Sequence, residues 1–238
     1  MADTGPFFSV IIPTFSEGKY LRDTLESIKR QKFQDYEIIV SDYHSVDGTI
    51  QIAKEYGATV LNATKPGASF ARNFGALNSN GKFLVFLDAD TTMWSDCLSV
   101  FKREAEIGTI AGFPLIEWAT QNKFYEMFRA YIINPIYYVG ALLNSGLSYP
   151  CCCFYEKAAF LNTNGFDERT PIFSNLNLNK EILRSGKLKL LSNSKCYTSD
   201  RRVQNFGLFS YCMTAIYAFT LKIVKNKVLP LDFYEPVR

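Results

Sequence analysis

Apolar residues fall into two alternating rhythms over roughly the first 90 positions of the 238-residue chain. Phe7-Phe8-Ser9-Val10-Ile11-Ile12 is short, apolar and β-branched and runs into Pro13-Thr14, so residues 7–12 read as a buried strand. From Gly18 to Arg30, Leu21, Leu25 and Ile28 share one face at helical spacing. Tyr36 to Val40 is a second strand, closed by the polar loop Ser41 to Asp47. Asp47-Gly48-Thr49 opens a helix through Tyr56, with Asp47 expected as its N-cap. Ala58 to Leu61 reads as a third strand, Ser69 to Leu77 as a helix, and Phe83 to Leu87 as a fourth strand that stops at Asp88.

Strands alternating with helices at short intervals predict an α/β fold, a mostly parallel sheet flanked by helices. Ligands of such sheets sit beyond the carboxyl ends of the strands. Three polar clusters fall there, Thr14 to Glu17, Ser41 to Asp47 and Asp88 to Asp90, and are expected to converge on one crevice.

The second half is less regular. Ala130 to Tyr155 has no charged residue, yet Asn134, Pro135, Gly140, Asn144, Gly146 and Pro150 interrupt it, and a spanning helix wants about 20 mostly apolar residues. It is not read as a span. Phe206 to Leu221 is a second uncharged run, followed by Lys222, Lys225 and Lys227. It suits a helix lying in a membrane interface with lysines reaching the headgroups, or a helix packed on the sheet. The expected organisation is a domain over 1–203, with halves at about 1–115 and 116–203, and a C-terminal hydrophobic helix and tail over 204–238.

Composition narrows the partners. The formal net charge of +3 comes with no basic stripe, so nucleic acid is not expected. Six cysteines at 97, 151, 152, 153, 196 and 212 include three in a row, no disulfide framework, and no pair has zinc-knuckle spacing. They read as buried free thiols in a reducing compartment. The N-terminus looks like a first strand rather than a signal peptide. The expected location is the cytoplasm, peripheral at the cytoplasmic membrane face.

Chemistry concentrates at Asp88-Ala89-Asp90. Two carboxylates one residue apart at a strand end can reach one divalent cation if the strand bends there, and hard magnesium or manganese ions share such ligands with substrate phosphates. A lone D-x-D string is weak evidence; its position after a buried strand strengthens it.

Five segments, "SVIIPTFSEGKYLRDTLESI", "YEIIVSDYHSVDGT", "GASFARNFGA", "GKFLVFLDAD" and "NGFDE", resemble the inverting family 2 glycosyltransferases of the GT-A fold, in that family's order, over roughly residues 8 to 170. The resemblance implies a nucleotide-sugar site in which Pro13, Thr14, Phe15 and Glu17 belong to the loop cradling the nucleoside. It implies that Asp42 approaches the base and ribose, and that Arg72 and Asn73 lie near the diphosphate. Asp88 would lie near ribose and metal, with Asp90 the direct ligand of magnesium or manganese. The donor would be a UDP- or GDP-sugar.

The chain departs from that pattern at several positions. Tyr43 stands where the family has a second acid, His44 where glycine is usual, and Ser16 where asparagine is usual. His44, the lone histidine, reads as a solvated loop residue. Aligning "GFDERTPIFSNLNLNKEILRSG" puts Ser174-Asn175 at the family's acid pair, so Asn175 occupies the catalytic-base position, and an amide cannot take a proton at neutral pH. Three readings stay open: a catalytically inactive nucleotide-sugar-binding homologue, Asp167 or Glu168 as a substitute base, or an acceptor that needs none. A lipid phosphate is already anionic. Arg201 and Arg202, after an expected strand at Leu188 to Leu191, could grip such a phosphate with forked hydrogen bonds. They resemble an archaeal-type subset with a hydrophobic C-terminal helix, and the acceptor implied is polyprenyl phosphate-like and lipid-linked. A nucleotidyltransferase is disfavoured by the acidic first loop, and a dehydrogenase by the absence of G-x-G-x-x-G after the first strand.

Overall fold

The computed structural model describes residues 5–224. The first four strands and three helices follow the expected order: β1 (Phe8–Thr14), α1 (Gly18–Lys29), β2 (Tyr36–Asp42), α2 (Thr49–Glu55), β3 (Thr59–Asn62), α3 (Ala68–Leu77) and β4 (Phe83–Leu87). β1, β2, β3 and β4 pair in parallel in the order β3-β2-β1-β4. All residues of β1 and β4 are buried, because helices cover both faces of a parallel sheet. Gly75 in α3 allows that helix to press on β1: a Cβ there would lie 2.5 Å from Ile11 Cγ2.

Beyond β4 come β5 (Thr91–Met93), α4 (Cys97–Glu106) and β6 (Thr109–Ala119), then α5 (Lys123–Phe128), a π-helical turn at Arg129–Ile133 and α6 (Asn134–Leu142). The chain continues through β7 (Cys152–Glu156), α7 (Lys157–Leu161), α8 (Leu176–Ser185), β8 (Lys187–Ser199), α9 (Arg201–Phe206) and α10 (Leu208–Val224). The sheet has eight strands in the order β3-β2-β1-β4-β7-β6-β8-β5. β7 runs antiparallel to β4 and β6, and β5 antiparallel to β8. The parallel expectation therefore holds for the first half, and the second half is mixed. β7 enters beside β4 antiparallel, burying both against the same core.

The uncharged run at 130–155 breaks into helix, loop and strand, as its prolines and glycines require. Among the described residues no helix is long and apolar enough to cross a membrane. Two expectations need correction. The strand expected at 188–191 extends through Ser199, across an irregularity in its pairing with β6 after Leu191, and Arg201-Arg202 open a short helix. Asp47 is not the N-cap of α2. Gly48, left-handed at φ 87°, takes that position, while Asp47 accepts from Gly18 N and Thr49 N and so fastens the starts of α1 and α2 together. Lys225, Lys227 and the rest of the tail expected to 238 lie outside the described residues.

Candidate active site

The three polar clusters meet at the carboxyl ends of β1, β2 and β4. Thr14 Oγ1 donates to Asp42 Oδ1 at 2.7 Å, and Ser45 N donates to Asp42 Oδ2 at 2.9 Å. Asp42 is almost completely buried and committed to these bonds, so it shapes the loop from within. Above it the rings of Phe15 and Tyr43 lie 5.6 Å apart, a tilted aromatic wall beside Pro13 and Thr14. Ser16 adopts φ 56°, and its N–H donates to Ser45 Oγ at 2.7 Å, which turns the first loop toward the second.

The Asp88–Asp90 turn is pinned along its backbone. Asp88 N donates to Cys151 O, Thr24 Oγ1 to Ala89 O, and Ser199 N to Asp90 O, at 2.9, 2.7 and 3.1 Å. These anchors come from the residue just before β7, from α1 and from the end of β8, so the turn is set by segments distant in sequence. The bend is therefore built in before any ligand arrives.

Charge is dense at this turn. Arg72, on the buried face of α3, pairs with Asp88 and lies over the Phe166 ring at 5.2 Å. It is a buried ion-pair partner rather than a surface one. Arg201 donates from both terminal nitrogens to Glu17, each at 2.9 Å, while its Nε sits 3.0 Å from Asp90 Oδ2. The fork expected to hold a phosphate holds a carboxylate here. Arg202 carries its charge beside Asp88 and Asp90. Burial, and then the neighbouring Asp88 carboxylate, push Asp90 up to about 6, against the pull of Arg201.

This donor set fits a magnesium- or manganese-class ion. It offers hard oxygens, and a bound cation would offset the burial and the Asp88 charge that raise Asp90. Two protein carboxylates suffice when substrate phosphates complete the shell.

The segment carrying Gly165-Phe166-Asp167-Glu168 is tied to α3 by Asn73. Its Nδ2 donates to Phe166 O and Glu168 Oε1 at 2.9 and 3.0 Å, and its Oδ1 accepts from Phe166 N at 2.9 Å. Gly165, at φ 65°, leaves room for this, since a Cβ there would meet Asn73 Oδ1 at 2.6 Å. The bonds of Asn73 thus position a loop. Asp167 is bonded to Arg169 Nε at 2.9 Å and lies 3.7 Å from Lys222 Nζ on α10. Burial alone would raise Asp167, but the Arg169 hydrogen bonds and the Lys222 charge outweigh it and hold the carboxyl below its ordinary value. Asn175 is 1% exposed and donates from Nδ2 to Ser148 Oγ at 2.8 Å, within a buried network that also holds Asn179 and Tyr155.

α10 lies against this region through Lys222 Nζ, which donates to Phe173 O at 2.7 Å, and through the Phe173–Phe219 ring pair at 5.6 Å. Sequence reasoning missed Thr24 and Ser148, which carry no local signal, and Lys222, expected to reach membrane headgroups, is instead buried against Phe173 O and Asp167. Ser45 had one: a serine three residues after Asp42 is placed for the turn in which an aspartate accepts from a nearby backbone N–H.

The family model for Glycosyl transferase family 2 matches residues 9–162. AglE, a glycosyltransferase of Haloferax volcanii, is 32% identical over 120 residues, which are 47% of this chain and 38% of that protein. A Campylobacter jejuni protein named GalNAc(5)-diNAcBac-PP-undecaprenol beta-1,3-glucosyltransferase is 36% identical over 110 residues, 43% of this chain and 36% of that one. The chain thus spans well under half the length of both relatives. The mannosyltransferase PcManGT from Pyrobaculum calidifontis, solved with GDP-Man and Mn2+, superposes with TM-score 0.64 at 18% identity, over 90% of this chain and 66% of that one. At that identity the likeness establishes a shared GT-A-like fold.

Proposed function

Since the chain belongs to glycosyl transferase family 2, we propose that it moves a sugar from a UDP- or GDP-sugar to a lipid-linked phosphate acceptor, with inversion at the anomeric carbon. The observation that carries this reading is the meeting of Asp88, Asp90, Glu17, Arg72 and Arg201 at one end of the sheet, beside the Phe15–Tyr43 wall. An aromatic wall suits a nucleobase, and the charged cluster suits a diphosphate. PcManGT, which has the same fold, was solved with GDP-Man and Mn2+.

Asp88 and Asp90 would hold magnesium or manganese, which when bound would supply positive charge against the negative charge developing on the departing diphosphate. Arg72 orients Asp88 from beneath, and Arg202 adds positive charge to the same region. The Asp88–Asp90 turn cannot swing away, because three backbone anchors hold it.

The acceptor reading rests on what stands at the base position. Asn175 is buried and uses its amide as a donor, and Asp167 is held ionised between Arg169 and Lys222. An anionic phosphate oxygen needs no base. It attacks the anomeric carbon as the carbon–oxygen bond to the diphosphate breaks, and the nucleoside diphosphate leaves with that electron pair. The relative from Campylobacter jejuni is named for a glycan carried on undecaprenol through a diphosphate, which supports a lipid-linked acceptor.

A membrane-facing role is consistent with two apolar surfaces. Tyr131, Ile136 and Leu142 are exposed around α6, and Phe209, Ile216 and Tyr217 along α10. Such side chains suit a helix lying in a bilayer interface. The assay is the full chain with manganese, a panel of UDP- and GDP-sugars and a polyprenyl phosphate in detergent micelles. Glycolipid formation that Asp90→Ala abolishes is the expected result. Nucleotide-sugar binding without transfer to any phosphate acceptor would instead favour an inactive binding homologue.

A further inference from the structure

Away from the donor crevice, three thiols far apart in sequence meet in the core. Cys97 opens α4, Cys152 opens β7 and Cys196 lies in β8, all without solvent exposure. Cys196 Sγ lies 3.1 Å from Cys152 Sγ and 3.9 Å from Cys97 Sγ, and all three sulfurs lie within 4.8 Å of one another. The buried Ser194 hydroxyl lies beside the Cys97 thiol. Four polar atoms thus share one spot in an otherwise apolar core.

We propose that Cys97, Cys152 and Cys196 form a site for one thiophilic divalent metal ion of the zinc class, separate from the oxygen-donor site at Asp88 and Asp90. Sulfur–metal bonds of about 2.3 Å set neighbouring ligand sulfurs roughly 3.8–4.0 Å apart. The Cys97–Cys196 separation of 3.9 Å already meets this, and the Cys152–Cys196 pair must open by about 0.7 Å. Soft sulfur donors select against magnesium and manganese, so the two sites do not compete for ions. All three cysteines bind as thiolates, with the Ser194 hydroxyl beside them as a neutral oxygen, so the loaded site holds one net negative charge. Binding then releases three protons.

The location gives the ion a structural role. Cys152 registers with Leu87, directly before Asp88, and Cys196 with Met93, three residues past Asp90. A metal here fastens β7, β8 and α4 beneath the turn that carries both carboxylates. Since the thiols have no exposure, loading takes place during folding.

The test unfolds the full chain under reducing conditions and refolds it with zinc, with cadmium or with chelator, followed by desalting and elemental analysis. One retained equivalent of zinc or cadmium per chain, with a cadmium–thiolate charge-transfer band, is expected. Cys152→Ser and Cys196→Ser should each weaken metal retention by at least about tenfold, while Cys212→Ser, on α10 away from the cluster, should leave it unchanged. The absence of both band and retained metal in refolded wild type overturns the proposal, as does equal retention in the Cys152 and Cys196 variants. If those variants fail to fold, the wild-type cadmium band decides.

Discussion

Arg201 grips Glu17 across 184 positions of sequence, with both terminal guanidinium nitrogens 2.9 Å from the two carboxylate oxygens. Both side chains are about 15% exposed, so the pair is neither freely solvated nor fully desolvated. The fork closes the first loop against the start of α9 and leaves Nε facing Asp90. Replacing Arg201 with Gln should lower stability by about 1–3 kcal/mol, below the value for a fully buried pair because solvent screens part of the loss. Urea unfolding of wild type and variant checks this.

Cation binding should depend on pH through Asp90. Its folded value of about 6 lies above the ordinary carboxylate value of 3.8, so without an ion the folded chain holds this proton more tightly than the unfolded chain does. That stabilising contribution is present at low pH and is lost as pH rises through about 6. Manganese needs the carboxylate ionised, so its affinity should rise over the same window. Calorimetric titration from pH 5 to pH 8 reads the midpoint, which Arg201→Gln should move upward because Arg201 lowers the Asp90 value. A flat profile would show that Asp90 does not carry the ion.

Asn73→Ala removes three hydrogen bonds to Phe166 and Glu168. It leaves the Phe166 backbone N–H and C=O without their partner, so a loss of about 1–3 kcal/mol is expected. Nucleotide binding at saturating manganese should change less than stability does, since these bonds set a loop.

Restoring an acid with Asn175→Asp should not create a base. The new carboxylate would sit where an amide now donates to Ser148, with the Ser148 carbonyl oxygen 3.4 Å from that nitrogen. Loss of stability by about 1–3 kcal/mol, with no gain of transfer to hydroxyl acceptors, is expected. Gain of hydroxyl transfer would identify a disabled base position instead.

Paired substitutions Phe209→Asp and Ile216→Asp place charge on exposed positions of α10. Vesicle sedimentation should show at least several-fold weaker binding to anionic vesicles, with nucleotide-sugar binding retained, because both side chains are exposed. Equal vesicle binding would remove the interfacial role.

The regular first half was legible because its information is local. Apolar runs such as Phe83 to Leu87 and the helical spacing of Leu21, Leu25 and Ile28 announce their elements, and strand ends announce where polar residues must gather. Asp88 and Asp90 were found this way. The mixed pairing of β5 to β8 was not, since pairing direction depends on contacts between segments up to about 100 positions apart, such as Thr91 with Thr198.

Sequence alone determined the alternating elements of the first half and the carboxylates at the end of β4, because each depends on residue type and short-range spacing. Only the tertiary structure decided that Arg201 clasps Glu17, that Asn73 holds the Phe166 loop and that Cys97, Cys152 and Cys196 share one point in the core. Those are meetings of side chains from separate elements. Their geometry follows from how the sheet and its helices pack, which no short window of sequence contains.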